Sequence, residues 1–142
     1  MMLSYIIQAR KVFALEVTRA AYELTANIYA ENGDYQFALN YINQAIVTAP
    51  SSPILYVDKS RIYEKMSLSP QPYEYSKIPE WRRTQRELLE NASDMAKKNG
   101  NSKVRCIALG ALAYSWSCQD PIDIDLAERY AEQADMWGGD SR

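Results

Sequence analysis

Tyr22, Ala26 and Tyr29 recur as Tyr56, Ser60 and Tyr63, each shifted by 34 residues. This recurrence restricts the fold more than any other feature of the chain. A small residue between two aromatics at helical spacing lets a second helix approach closely, with the rings filling the groove beside it. The unit that repeats is therefore a packed pair of helices. In the second helix of the first pair, Ala38 and Ala45 lie seven apart with Ile42 between them on the same face. Pro50 then ends the hairpin, because proline removes a backbone donor and clashes with the preceding turn.

Helical periodicity dominates the rest of the chain, and no stretch alternates like a strand over more than a few residues. The breaks are legible. Asn32-Gly33-Asp34 ends one helix and places Asp34 to cap the next. Pro50 and Pro53 mark a second break, residues 67–77 carry Pro70 and Pro72, and Pro79 suits a first helical turn. Further breaks fall at Gly100 and near 119–122, and Gly138-Gly139 closes the last helix. The spacing predicts helices near 19–32, 35–48, 53–66, 79–98, 103–118 and 122–137, with a helical segment at 3–18. Residues 3–31 contain no breaker, so one long helix and two kinked ones both fit. On a helical wheel Arg10 falls among Ile6, Ala14 and Val17.

Residues 19–52 resemble a tetratricopeptide repeat. The matching positions are Tyr22, Ala26, Tyr29, the Gly33-Asp34-Tyr35 turn, Ala38, Ile42, Ala45 and Pro50, while Thr25 replaces the usual leucine. Residues 53–98 resemble a second repeat whose second helix is delayed by the inserted loop 67–77. There Leu89 and Ala92 fit, and Gln85 stands where a small residue is expected. Residues 104–137 resemble a divergent third repeat through Ile107, Ala111 and Tyr114, then Ala127, Ala131 and Ala134. The resemblance implies an all-α solenoid of about three helical hairpins plus an N-terminal helical segment, in a single domain spanning 1–142. Such pairs cannot bury their apolar faces alone, so neighbours stack and the terminal helices keep a polar outer side. The last helix suits that place. Glu128, Arg129, Glu132 and Asp135 are its polar residues, against an apolar stripe of Leu126, Ala127, Tyr130, Ala131 and Ala134.

A chain of 142 residues is large enough to bury a core without disulfides or metals. Cys106 and Cys118 fall in one expected helix, about 18 Å apart along its axis. That exceeds disulfide reach, and both read as small buried hydrophobes. The sequence contains no histidine. This removes the commonest general base and metal ligand, and every Ser/His or Cys/His nucleophile pair. No phosphate-cradling glycine loop is present either. The expectation is a non-catalytic protein with no cofactor and no bound metal. Asp120, Asp123 and Asp125 lack the glycine and terminal glutamate of a calcium loop and read as helix-capping acids. No apolar run is long enough to span a bilayer, and the short stretch Leu3–Ile7 with Gln8, Arg10 and Lys11 after it does not read as a signal peptide. The default setting is cytoplasmic or nuclear.

In the family, the first helices of successive repeats line a concave groove that holds a peptide or a partner helix. Mapped onto this chain, the groove carries Glu23, Asn27, Asp58, Arg61, Arg105, Leu109 and Leu112. A subset of the family clamps the C-terminal carboxylates of chaperones with basic residues. Only Asn27 matches that clamp here, since Glu23 replaces a lysine and Asp58 an asparagine, and a carboxylate would meet like charges. The resemblance thus implies an adaptor for an amphipathic or mixed-charge protein segment. Two other readings stay open: a self-associating assembly module acting through its terminal helices, and RNA binding through a basic face of Trp81, Arg82, Arg83 and Arg86. Residues 77–105 hold eight basic and four acidic residues, and 120–142 hold seven acids and two bases. That segment is a natural partner for the basic helix. The net charge of −2 does not favour polyanions. The loop 67–77, with Tyr73 and Tyr75, reads as a tolerated insertion, with covering the groove and contacting a partner the other possibilities.

Overall fold

The computed structural model describes residues 2–139, with side chains described as far as Asp135. All of its regular structure is helical, and no strand occurs among the described residues. The helices are α1 (Met2–Glu31), α2 (Tyr35–Thr48), α3 (Pro53–Leu68), α4 (Ile78–Lys98), α5 (Ser102–Cys118) and α6 (Ile124–Gly139). The stretch that lacked a breaker is one continuous helix, α1. Pro72–Lys77, expected as an irregular loop, forms a turn of 3₁₀ helix. The backbone N–H of Gln71 donates to Glu74 Oε1 at 2.9 Å and closes its start. Tyr73 and Tyr75 remain exposed.

Two glycines end helices where only a residue without Cβ fits easily. Gly33 has φ +82° and Gly100 has φ +68°. Asp34 N–H donates to Tyr29 O at 2.9 Å and Gly33 N–H to Ala30 O at 3.2 Å. Asn101 N–H donates to Ala96 O at 2.8 Å and Gly100 N–H to Lys97 O at 3.2 Å. Both are Schellman caps, which satisfy the last carbonyls while the chain turns in the left-handed region. Capping by side chains is uneven. Asn101 Oδ1 accepts from Val104 N–H at 3.1 Å and Asp123 Oδ1 from Leu126 N–H at 3.0 Å. Asp34 does not cap with its carboxylate as expected; its backbone carbonyl accepts from Ala38 N–H at 3.0 Å.

The contacts gather into two compact units, one ending at Ser51 and one beginning at Ser52. In the first, α1 packs on α2. Ala26, Ala38, Ile42 and Ala45 are completely buried at the crossing. The rings lie beside them: Tyr29 stacks on Phe37 and Tyr41, with centroids 5.3 and 5.5 Å apart, and Tyr22 tilts against Tyr41 at 6.3 Å. Small residues at the contact and aromatics at its margin bring the two backbones close, in keeping with the sequence logic.

In the second unit α3 packs on α4, α4 on α5 and α5 on α6. Val57, Leu89, Ala92, Ala96, Val104, Ala108 and Leu112 form its core. Ser60, the small residue of the second tyrosine pair, is buried and donates its hydroxyl to Val57 O at 2.6 Å. The third pair departs from expectation. Ile107 and Ala111 pack only at the margin of the core, and Tyr114 is 59% exposed. The buried line of α5 runs instead through Val104, Ala108, Leu112 and Ser115. Of the apolar stripe on α6, Ala127 is buried while Ala131 faces solvent. The cysteines are free thiols but not buried hydrophobes: Cys106 is half-buried, with Sγ 3.6 Å from Ala134 O, and Cys118 is exposed. Among the described residues no helix is long and apolar enough to cross a membrane.

Candidate functional site

Two sets of sequence-derived site residues are placed differently from their expectation. Trp81, Arg82 and Arg86 do not form an exposed basic face. Arg82 is 5% exposed and Arg86 4%, Trp81 is also buried, and only Arg83 of the four faces solvent. Positions 82, 86, 89, 93 and 96 share one face of α4, and Leu89 and Ala96 of that face are core residues. The arginines are carried inward by the same period. Two guanidiniums in the interior demand partners, since an unpaired buried charge is expensive. Arg86 Nε donates to Ser115 Oγ at 2.8 Å. Its Nη2 donates to the carbonyls of Ser115 at 2.9 Å, Gln119 at 2.7 Å and Pro121 at 3.0 Å. Its planar head lies 3.6 Å from the centroid of a Trp116 ring, on the ring's electron-rich face. A cation thus sits where the α5 dipole presents its negative end.

Gln85, expected to be a small residue, is buried and ties the network together. Its Oε1 accepts from Arg82 Nη1 at 2.7 Å, and its Nε2 donates to Gln119 Oε1 at 3.1 Å and to Glu64 Oε2 at 3.4 Å. Gln119 Nε2 donates to Glu64 Oε2 at 3.2 Å. Desolvation pulls the Arg86 guanidinium down to about 10, reinforced by neighbouring Arg82 and opposed by Asp120. Burial lowers Arg82 as well, against the attraction of Glu64. With Arg86 near 10, its cation persists at neutral pH. This network was missed from sequence because arginine and glutamine are normally surface residues. The available signal was their i, i+3, i+4 spacing in line with Leu89.

The groove residues separate. Glu23, half-buried, and Asn27, exposed, lie on α1 in the first unit. Asp58 and Arg61 form an ion pair at 3.3 Å, one turn apart on α3. Arg105, Leu109 and Leu112 come together in a cleft of about 300 Å³ between α4, α5 and α6. Glu90, Ser93 and Asp94 from α4, and Tyr130 and Gln133 from α6, complete its lining. Leu109 and Leu112 were expected as groove surface; they are core residues instead, at 2% and 0% exposure, and lie beneath the cleft. Its polar walls are coupled. Tyr130 OH donates to Glu90 Oε1 at 2.9 Å. Burial, then this hydrogen bond and the charges of Glu90 and Asp94, raise the phenol to about 12. The result is a mostly polar cleft with two carboxylates on one wall and a guanidinium on the other.

A second cleft, of about 420 Å³, is lined by Pro79, Arg83, Arg86, Glu87, Glu90, Trp116 and Pro121. Nε and Nη2 of Arg86 are already engaged by the oxygens described above. Among the described residues no group of three metal-ligating side chains converges. Asp123 of the aspartate cluster is the α6 cap. Asp140 and Arg142, counted in the acidic C-terminal segment, lie outside the described residues. No known protein family matches the sequence, and comparison with curated proteins yields no relative.

Proposed function

We propose that the protein is a non-catalytic adaptor that binds a protein segment, built like a tetratricopeptide domain of about three stacked hairpins. The observation that carries this reading is the cleft between α4, α5 and α6. Its accessible lining is mostly polar over the buried Leu109 and Leu112, and Glu90, Asp94 and Arg105 around it complement a ligand bearing both charges. A mixed-charge segment meets those demands, and a uniformly acidic one meets the carboxylates unfavourably. Support for the repeat architecture comes from the close crossing of α1 and α2 through Ala26, Ala38 and Ala45 with tyrosines at its margin. A cytoplasmic setting belongs to the same reading. RNA binding through α4 is not proposed, because three of the four side chains it needs are interior.

The test is photo-crosslinking from Gln133, an exposed residue of the cleft lining, in the source cell, followed by identification of the adduct. The same capture is then repeated with Asp94→Lys and Glu87→Lys. Adduct formation is expected to fall at least tenfold with Asp94→Lys and to survive Glu87→Lys, which lies outside this cleft. Equal capture by both variants, with unchanged circular dichroism, rules the cleft out as the binding surface.

A further inference from the structure

α1 is 30 residues long and α2 only 14, so the first half of α1 has no helix beside it in its own unit. From Met2 to Thr18 every residue is exposed. Large apolar side chains occur on every side of that half, Tyr5, Val12 and Leu15 continuing the α2-facing side, but one line stays exposed along nearly the whole of α1. Leu3, Ile7, Val17, Leu24 and Ile28 fall on one line, with Arg10, Ala14 and Ala21 at the intervening positions. The steps alternate four and three residues without interruption from Leu3 to Ile28. At about 100° per residue, this line lies roughly 150° from the face of Tyr22, Ala26 and Ala30 that meets α2. The five large residues of the line are 48% to 73% exposed, and Ile6 and Phe13 beside it are 48% and 67% exposed.

A 3.5-residue period kept over nearly four heptads, apolar at seven of its eight positions, is the pattern of a helix that packs along another helix. A helix lying on a membrane needs instead a polar side rich in Lys and Arg. Here the exposed half carries only Lys11 and Glu16 as charges off the line, and its opposite flank holds Tyr5, Val12 and Leu15, so it has no basic side. The line is also complementary to itself when reversed. Antiparallel pairing sets Leu3 of one copy opposite Ile28 of the other, Ile7 opposite Leu24, and Ala14 opposite Val17. Arg10, the sole polar position, then faces Ala21, whose small side chain leaves room for the arginine stem to reach water. Parallel pairing in register sets Arg10 against Arg10. The seven large residues, each at least half uncovered or nearly so, remove on the order of 800 Å² per copy from water, the size of a stable, specific interface.

We infer that α1 is a self-association helix, and that two copies of this chain pair antiparallel along the Leu3–Ile28 line. The proposal is independent of the α4–α6 cleft. Sedimentation velocity of the full chain across a concentration series reads it directly. The expected result is a monomer–dimer equilibrium that Val17→Glu and Leu24→Glu each weaken at least tenfold. Arg10→Leu, which removes the charge from the seam, is expected to tighten it about tenfold, a gain that misfolding cannot imitate. The near-ultraviolet signal of the stacked Tyr29 and Tyr41 checks that the hairpin persists. With Cys106 and Cys118 changed to serine, Leu3→Cys combined with Ile28→Cys is expected to oxidise to a covalent dimer, and Leu3→Cys alone is not. A monomer at every concentration overturns the inference, as does a dimer indifferent to Val17 and Leu24. Self-crosslinking of Leu3→Cys alone overturns the antiparallel arrangement. A monomer that co-sediments with phosphatidylserine vesicles, and loses them with Val17→Glu, assigns the face to lipid and overturns it equally.

Discussion

Replacing Arg86 by methionine isolates the contribution of one buried cation while keeping most of its volume. The guanidinium gives hydrogen bonds to Ser115 Oγ and to the carbonyls of Ser115, Gln119 and Pro121, and it covers Trp116. Methionine can make none of these. Ser115 O keeps the backbone N–H of Gln119 at 3.0 Å. Ser115 Oγ and Gln119 O are therefore the buried acceptors that lose a donor, at about 1–3 kcal/mol each, and the lost cation–π contact costs about 1 kcal/mol. Relief of the guanidinium's own desolvation offsets part of this, and water can reach Pro121, which lies at the surface. The net expectation is a loss of about 3 kcal/mol, a large share of a typical domain's stability. Arg86→Lys should lose about half as much, because an ammonium cannot span the same carbonyls as a planar fork. Trp81, Trp116 and Trp137 all belong to the second unit, so tryptophan fluorescence during urea unfolding reports on it selectively. The midpoint should fall with little change in slope. If Arg86→Met stays within about 0.5 kcal/mol of the parent, the guanidinium does not anchor the α5–α6 turn and the account of the network is wrong.

Two further substitutions compare faces of α5. Leu112→Ala, at a fully buried position, should cost about 2–5 kcal/mol, whereas Tyr114→Ala, at 59% exposure, should change stability by less than about 1 kcal/mol. Chemical denaturation of both decides whether the core follows Ala108 and Leu112 or Ile107 and Tyr114. High pH tests the Tyr130–Glu90 contact. The folded-state value of Tyr130 is raised to about 12, above an unfolded value near 10, so the folded chain holds this proton more tightly. Its stabilising contribution is complete below pH 10 and lost as pH rises through 12. Tyr130→Phe should flatten that part of the alkaline stability profile, and an unchanged profile contradicts the assignment.

Much of the helical outline was readable because the breakers act locally. Gly33 and Gly100 adopt positive φ, Pro53 and Pro79 lie in first turns, and α2 occupies the 35–48 span expected of it. Less was readable at 67–77, where a glutamate three residues after Gln71 was enough to order a 3₁₀ turn. The start of α6 falls at Ile124 rather than near 122, where Asp123 supplies the cap. The candidate site was legible in part. Arg105, Leu109 and Leu112 share a cleft, but its α4 wall, Glu90 and Asp94, had no distinguishing sequence signal.

The sequence by itself decided where most of the helix breaks fall, and that α1 crosses α2 through alanines. Capping, proline geometry and small-residue spacing work over a few neighbours, so the information lies within one turn. Only tertiary structure decided which side of α5 turns inward and that Arg82 and Arg86 lie inside α4. Ile107, Ala108, Leu109, Ala111 and Leu112 are apolar almost all round, so period alone leaves the orientation of α5 open. A buried arginine, likewise, is stable only because Ser115, Gln119 and Pro121, some thirty residues away, bring their oxygens to it.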